Sequence, residues 1–268
     1  MRGVTALAAK VRQLILYPYL PEDLPRGKAA ELSRLELYEE GSYLQAHRMP
    51  IAAGDIFQKV DGSKQYILLE QPCDMIVRRD SGMRKLGQGT LAEIVIWDEQ
   101  KEVIPGFVEL PFYVSDNTKK AQVKLTGASA VPFLVLDLCV FPADGVATMG
   151  LDDICPDDLI PAWQKRFNHV KEDIRNIVHQ YRSMALSSEG KSKRLASNVD
   201  RSLQGSLTAS VSGIVSGKIS LSPDRVTYNL KRVRRLKQPR SGSLLRDFSY
   251  HKSRDAFDHD LTRTVRNE

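Results

Sequence analysis

The hydrophobic rhythm of the chain changes along its length, and each change predicts a different kind of structure. Val4, Leu7, Ala8, Val11, Leu14 and Ile15 fall on one face of a 3.6-residue repeat, which predicts a docked amphipathic helix. Pro21 and Pro25 break it, and Lys28 to Glu39 offers a second, charged helix, so residues 1–49 read as a helical lead-in. From Gly54 to Gly150 the pattern shortens to strands. Ile56-Phe57, Tyr66 to Leu69, Leu91 to Trp97, Phe107 to Val114, Val123 to Leu125 and Val131 to Phe141 are short apolar or β-branched runs. Asp61-Gly62, Ser81-Gly82, Pro105-Gly106 and Asp144-Gly145 punctuate them. Such runs and turns predict an antiparallel barrel or sandwich over residues 50–150 rather than a parallel sheet. Val131 to Phe141 is apolar on both faces except at Asp137 and reads as the central strand.

A seven-residue recurrence follows. Ile160, Phe167, Ile174 and Tyr181 form one register, and Trp163, Val170, Ile177 and Met184 the other. These are the a and d positions of one seam on a long helix over residues 157–186, with Lys165, Arg166, Lys171, Glu172, Asp173 and Arg175 outside it. Asp157 and Asp158 suit its first turn, and Pro161 is tolerated only there. The seam fits either a partner helix, as in a homodimer or hetero-complex, or a core helix lying on the barrel. Residues 187–206 are rich in Ser, Gly and Lys without periodicity and read as a linker. Residues 207–268 read as a small basic α+β module. In it Val211 to Leu221 looks like a hairpin, and Arg225 to Leu236 fits strand or helix, with Tyr, Thr and Val favouring strand.

Composition narrows the class without naming a function. A chain of 268 residues with 42% hydrophobic and 27% charged residues has the makings of a packed core rather than of a disordered chain. Cys73, Cys139 and Cys155 are scattered and form no Cys-x-x-Cys, which points to a reducing, cytoplasmic setting and against a disulfide framework or zinc site. No apolar run approaches the ~20 residues needed to span a bilayer, so no membrane partner is expected. The N-terminus loosely resembles a transit peptide, but Lys10 and Arg12 interrupt any signal-peptide core. Residues 1–18 also look like the middle of a domain, as if the chain were part of a larger ancestral protein.

The net charge of +6 matters through its placement. Lys231 to Arg240 holds six basic residues and no acid: Lys231, Arg232, Arg234, Arg235, Lys237 and Arg240. Arg225 and Tyr228 lie just before it. Cations interleaved with an aromatic suit phosphate contacts, which give affinity without sequence readout. The same residues equally suit a surface face, or pairing with the chain's own acids, such as Asp152, Asp153, Asp157 and Asp158.

Candidate chemistry gathers elsewhere. Asp74 and Cys73 close a strand, with Arg78, Arg79 and Arg84 nearby, and these can form a polar pocket at a barrel mouth. A thiol beside arginines becomes more reactive; alternatively Cys73 is a small buried hydrophobe and Asp74 caps the turn. Cysteine–histidine catalysis lacks its histidine, since none follows His47 in the β-rich stretch. Asp137, inside an apolar run, needs a cation, and Arg78 or Arg84 can provide one. Asp258-His259-Asp260, with His251 and Asp255, collects ligand types, but no His-x-x-x-His spacing supports a metal, and no cofactor is implied.

The Gly54-Asp55-Ile56-Phe57 entry, the strand Tyr66 to Leu69 and the block Gln71-Pro72-Cys73-Asp74 through Arg84 resemble the opening of small SH3-like barrels, including the PemK/MazF ribonuclease toxins. They are also similar to uncharacterised bacterial phage-defence-associated proteins that carry a Pro-Cys-Asp block after such a strand. The resemblance implies an SH3-like or related antiparallel β-barrel. It leads to an expected role as a non-catalytic or accessory component of a bacterial nucleic-acid-linked system, of the phage-defence kind, that binds nucleic acid through the basic tail. Two alternatives stand beside it: a metal-independent ribonuclease using Asp74, Arg78, Arg84 and Asp137, and a protein-interaction adaptor whose basic tail docks an acidic partner.

Overall fold

The structure, a computed structural model, describes residues 26–98, 105–116, 118–188, 214–221 and 224–265. The amphipathic segment at residues 4–15 and nearly all of the 187–206 linker lie outside the described residues. The chain runs through helix α1 (Arg26–Leu37), strand β1 (Tyr38–Glu40), α2 (Gly41–Ala46), β2 (Asp55–Gln58), β3 (Gln65–Leu68), the single turn α3 (Pro72–Met75), β4 (Gln88–Asp98), β5 (Phe107–Leu110), β6 (Lys119–Lys124) and β7 (Ser129–Pro132). It continues with α4 (Phe133–Leu138), β8 (Val146–Gly150), α5 (Pro161–Ser188), β9 (Gly217–Leu221), β10 (Asp224–Leu236) and α6 (Arg240–Val265).

The ten strands form one antiparallel sheet, ordered β1-β10-β2-β3-β4-β6-β5, with β7 also on β4, and β8 and β9 also on β10. It curls into a half-barrel. The two long strands carry the curl by changing partners along their length. β4 meets β7 through Gln88–Leu91 and β6 through Ile94–Asp98. β10 meets β8 and β9 in its first half and β1 and β2 in its second, with a register shift against β2 between Arg232 and Arg234. Such irregularities bend a strand and sharpen its twist.

Both faces of this sheet are covered, which explains why its strands read as short continuous apolar runs rather than strict alternations. Neighbouring residues point to opposite sides. Phe57, Leu68 and Leu91 face one core, completed by α4 and by Trp163, Phe167, Val170, Ile174 and Val178 of α5. Ile56, Ile67 and Ala92 face the other, closed by Leu244 and Phe248 of α6. Trp163, Phe167, Val170 and Ile174 of the expected seam therefore pack on this chain's own core, while Ile177 is only partly buried and Val178, outside the seam, is buried instead. Ile160 is outside the helix and more than half exposed.

Two sequence expectations are corrected. Val131 to Phe141 is not the central strand: β7 stops at Pro132, which has no N–H to donate, and the run continues as α4. A run that is buried on all sides has no periodicity to separate helix from strand. Residues 207–268 are not a separate module, because β10 lies inside the common sheet, between β1 and β2. The strand reading of Arg225 to Leu236 holds. The Asp258-His259-Asp260 run lies on α6, and its side chains are outside the described set.

Candidate functional site

Two buried charge networks hold the fold around one groove. The first grows from Gly54 and Asp55. Gly54 has φ +87°, and a Cβ there would sit 2.5 Å from the Leu236 carbonyl oxygen, so only glycine lets β2 start against the end of β10. The Leu236 amide donates to the Gly54 carbonyl at 2.8 Å. Asp55, fully buried, then accepts from the Ala52 amide (2.9 Å), Arg232 Nη2 (3.1 Å) and Arg235 Nε (2.6 Å). Arg232 also donates to the carbonyls of Met49 (2.6 Å) and Pro50 (3.1 Å), and Arg235 Nη2 donates to Pro50 as well. Burial pulls the Arg232 guanidinium below its ordinary pKa; Asp55 opposes this and Arg235 adds to it.

The second network is an Arg84–Asp137–Arg166 triad. Asp137 is fully buried and accepts from Arg84 Nη2 and from Arg166 Nε at 2.7 Å. The Arg84 guanidinium lies 4.6 Å from the Phe133 ring centre and 5.4 Å from that of Trp163. Its side chain is only 2% exposed. The turn before Arg84 is fastened to α5: Lys165 donates to the Asp80 carbonyl and the His169 ring to that of Ser81, both at 2.8 Å. Gly82 has φ +68°, and a Cβ there would come within 2.9 Å of the Lys165 backbone.

Of the four residues considered for catalysis, the structure brings together only Arg84 and Asp137. Asp74 pairs with Lys85 at 3.0 Å, and Arg78 is exposed on the turn. Arg166, the third member of the triad, is a residue that sequence reasoning placed on the outer face of the helix. The signal for it was the charge on Asp137, which sequence could not assign to one arginine. Cys73 is exposed, while burial pushes the Cys139 thiol well up.

Most of the basic run has partners inside the chain. Arg225 pairs with Asp153 (2.6 Å), Arg232 and Arg235 with Asp55, and Arg234 with Glu40 (3.2 Å) while lying over the Tyr38 and Tyr113 rings. Lys237 donates to the Leu35 carbonyl at 2.8 Å. The side chains of Lys231 and Arg240 make no hydrogen bond or ion pair among the described residues.

A groove of about 530 Å³ is lined by Arg235 of the first network and by Trp163, against whose ring Arg84 of the second lies. Ile51, Ala53, Met75, Val77, Ala162 and Trp163 give it an apolar lining, and Ile76 and Ile160, 61% and 57% exposed, stand at its edge. Its polar residues come from one contiguous part of the fold, the meeting of β1, β10 and α6: Glu39, Arg235, Lys237, Gln238 and Ser241. No family model, curated protein or solved structure matches the chain. The chemistry of the groove is therefore read from its residues alone.

The Ser241 hydroxyl is buried and has no hydrogen-bond partner, so no base stands in reach of it, as a nucleophilic serine would require. Among the described residues, no group of three or more His, Cys, Asp or Glu side chains is placed to hold a metal. No helix among them is long and apolar enough to cross a membrane.

Proposed function

We propose that the chain is a non-catalytic binding protein that takes an apolar group of its ligand into the groove. The observation that carries this reading is the concave apolar surface itself, mainly hydrocarbon with a few convergent polar groups, the usual make-up of a small-molecule site. The buried networks support it. Asp55 and Arg235 fasten the Pro50 loop on one wall, and Arg84 is stacked against Trp163 on another, so the lining is pre-organised. Arg84 and Asp137, two of the four residues considered for a ribonuclease, are buried against each other.

Trp163 is a built-in reporter, because the chain has only two tryptophans. In a Trp97→Phe background, titration with octanol should change Trp163 emission saturably, and Ala162→Phe, which fills the groove, should remove the response. A linear or absent response in the unplugged protein refutes the reading. Phosphate binding is a second reading. It rests on Lys231 and Arg240, the two cations of the basic run without a partner among the described residues.

A further inference from the structure

The polar end of the groove has features that an apolar cavity alone does not need. Ser241 is 1% exposed and its hydroxyl makes no hydrogen bond. A buried hydroxyl without a partner is costly, and native interiors rarely leave one. Arg235 uses Nε and Nη2 on Asp55 and Pro50, while its Nη1 lies 3.9 Å from Glu39, beyond hydrogen-bond reach. Ser241 is also the second residue of α6, a helix of 26 residues with no acidic residue in its first turn, so the positive end of its dipole is uncompensated. Around this corner three cations, Arg232, Arg235 and Lys237, face two carboxylates, Asp55 and Glu39. An excess positive charge, a spare guanidinium nitrogen, an unpartnered hydroxyl and a helix N-terminus all favour one kind of group, an anion with hydrogen-bond acceptors.

We infer that the ligand is a small organic acid: an apolar body lying along Ile51, Met75, Val77 and Trp163, and a carboxylate seated between Arg235 Nη1 and the Ser241 hydroxyl. This rests on the groove reading and specifies its ligand class. The cavity volume falls in the ordinary range for small-molecule sites, about 300–1,000 Å³. Both seat residues lie deep, with the Arg235 side chain 11% exposed, so the acid is reached by a molecule that enters the groove whole. Glu39 at the same corner would attract a ligand cation, but three cations outnumber two carboxylates there, and the excess sets the preference for an acid.

The test uses the full chain carrying Trp97→Phe and three probes of one length, octanoate, octanol and octylamine, read by Trp163 emission. Octanoate should bind at least about tenfold more tightly than octanol, the scale of a charge-assisted hydrogen bond, and octylamine more weakly than octanol. Ser241→Ala should bring the octanoate-to-octanol ratio below about threefold. Lys237→Met, at a half-buried side chain outside the Asp55 network, should lower the ratio partway. If octanol binds but octanoate binds no better, or if both variants leave the ratio intact, the groove reading stands and the acid assignment falls. If none of the three probes alters Trp163 emission, the groove reading falls and takes this one with it.

Discussion

Replacing Asp137 by alanine isolates the cost of the triad beneath the groove. The carboxylate is fully buried between Arg84, 2% exposed, and Arg166, 9% exposed. Removal leaves two guanidinium groups facing each other in a site that water does not reach, since an arginine does not shed its proton. Breaking a buried pair costs about 3–5 kcal/mol, and here a single deletion orphans two cations, which places the loss at the top of that range. For a chain of this size each kcal/mol lowers Tm by about 2–4 °C, so Asp137→Ala should melt roughly 10–20 °C below the parent. Urea titration of both proteins, with equal m-values, gives the free energy directly. The triple replacement of Arg84, Asp137 and Arg166 by apolar residues of similar volume should recover most of the loss, because it removes the buried charges together. A loss below about 1 kcal/mol for Asp137→Ala would refute this reasoning and place the carboxylate in a solvated setting.

Further expectations concern the thiols, the tyrosines and the basic run. A thiol reagent should modify the exposed Cys73 quickly and leave Cys139 untouched until the protein unfolds; equal rates would contradict the buried position of Cys139. Burial pushes the Tyr113 and Tyr228 hydroxyls up to about 12, against about 10 unfolded, so each neutral phenol contributes fully below pH 10 and its contribution, on the order of 2–3 kcal/mol, is lost as pH rises from about 10 to 12. Urea melts across that window should show the loss, and Tyr228→Phe should reduce it. Arg232→Ala should destabilise the fold by about 3–5 kcal/mol because it strips a partner from buried Asp55, whereas Lys231→Ala with Arg240→Ala should leave stability within about 0.5 kcal/mol. If the run contacts phosphates, Lys231 and Arg240 carry the contacts, and the double variant should flatten the slope of log affinity against log salt by up to about 2 units in a filter-binding titration.

The sheet was legible where turn glycines and apolar runs agreed. Gly62, Gly82, Gly106 and Gly145 all take positive φ at the turns expected for them. Strands β2, β3, β4 and β5 lie within or overlap the runs that marked them. What escaped was long-range. Nothing local tells that β10, after a long interval of chain, inserts between β1 and β2, and that insertion brings Arg232 and Arg235 of the basic run onto Asp55. The same holds for the site. Gly54-Asp55 and Pro72 to Arg84 stood out as a block, and the groove does run past Ala53, Pro72 and Met75. Its polar end, at Arg235 and Ser241, comes from the opposite end of the sequence. Whether the arginine side chains of β10 face a ligand or an acid of the same chain depends on strand pairing, which local pattern does not encode.

The central claim is that ligand enters the groove between the Pro50 loop, the Pro72 turn and the start of α5. Methyl-labelled protein titrated with octanol tests it most directly by NMR. Ile51, Ile76, Ile160 and Ala162 border the groove, while Ile56, Ile67 and Ile94 belong to the core on the other face of the sheet. Saturable shifts confined to the first group, abolished by Ala162→Phe, are the predicted result. Shifts centred on Ile56, Ile67 and Ile94, or spread evenly over both groups, would contradict it.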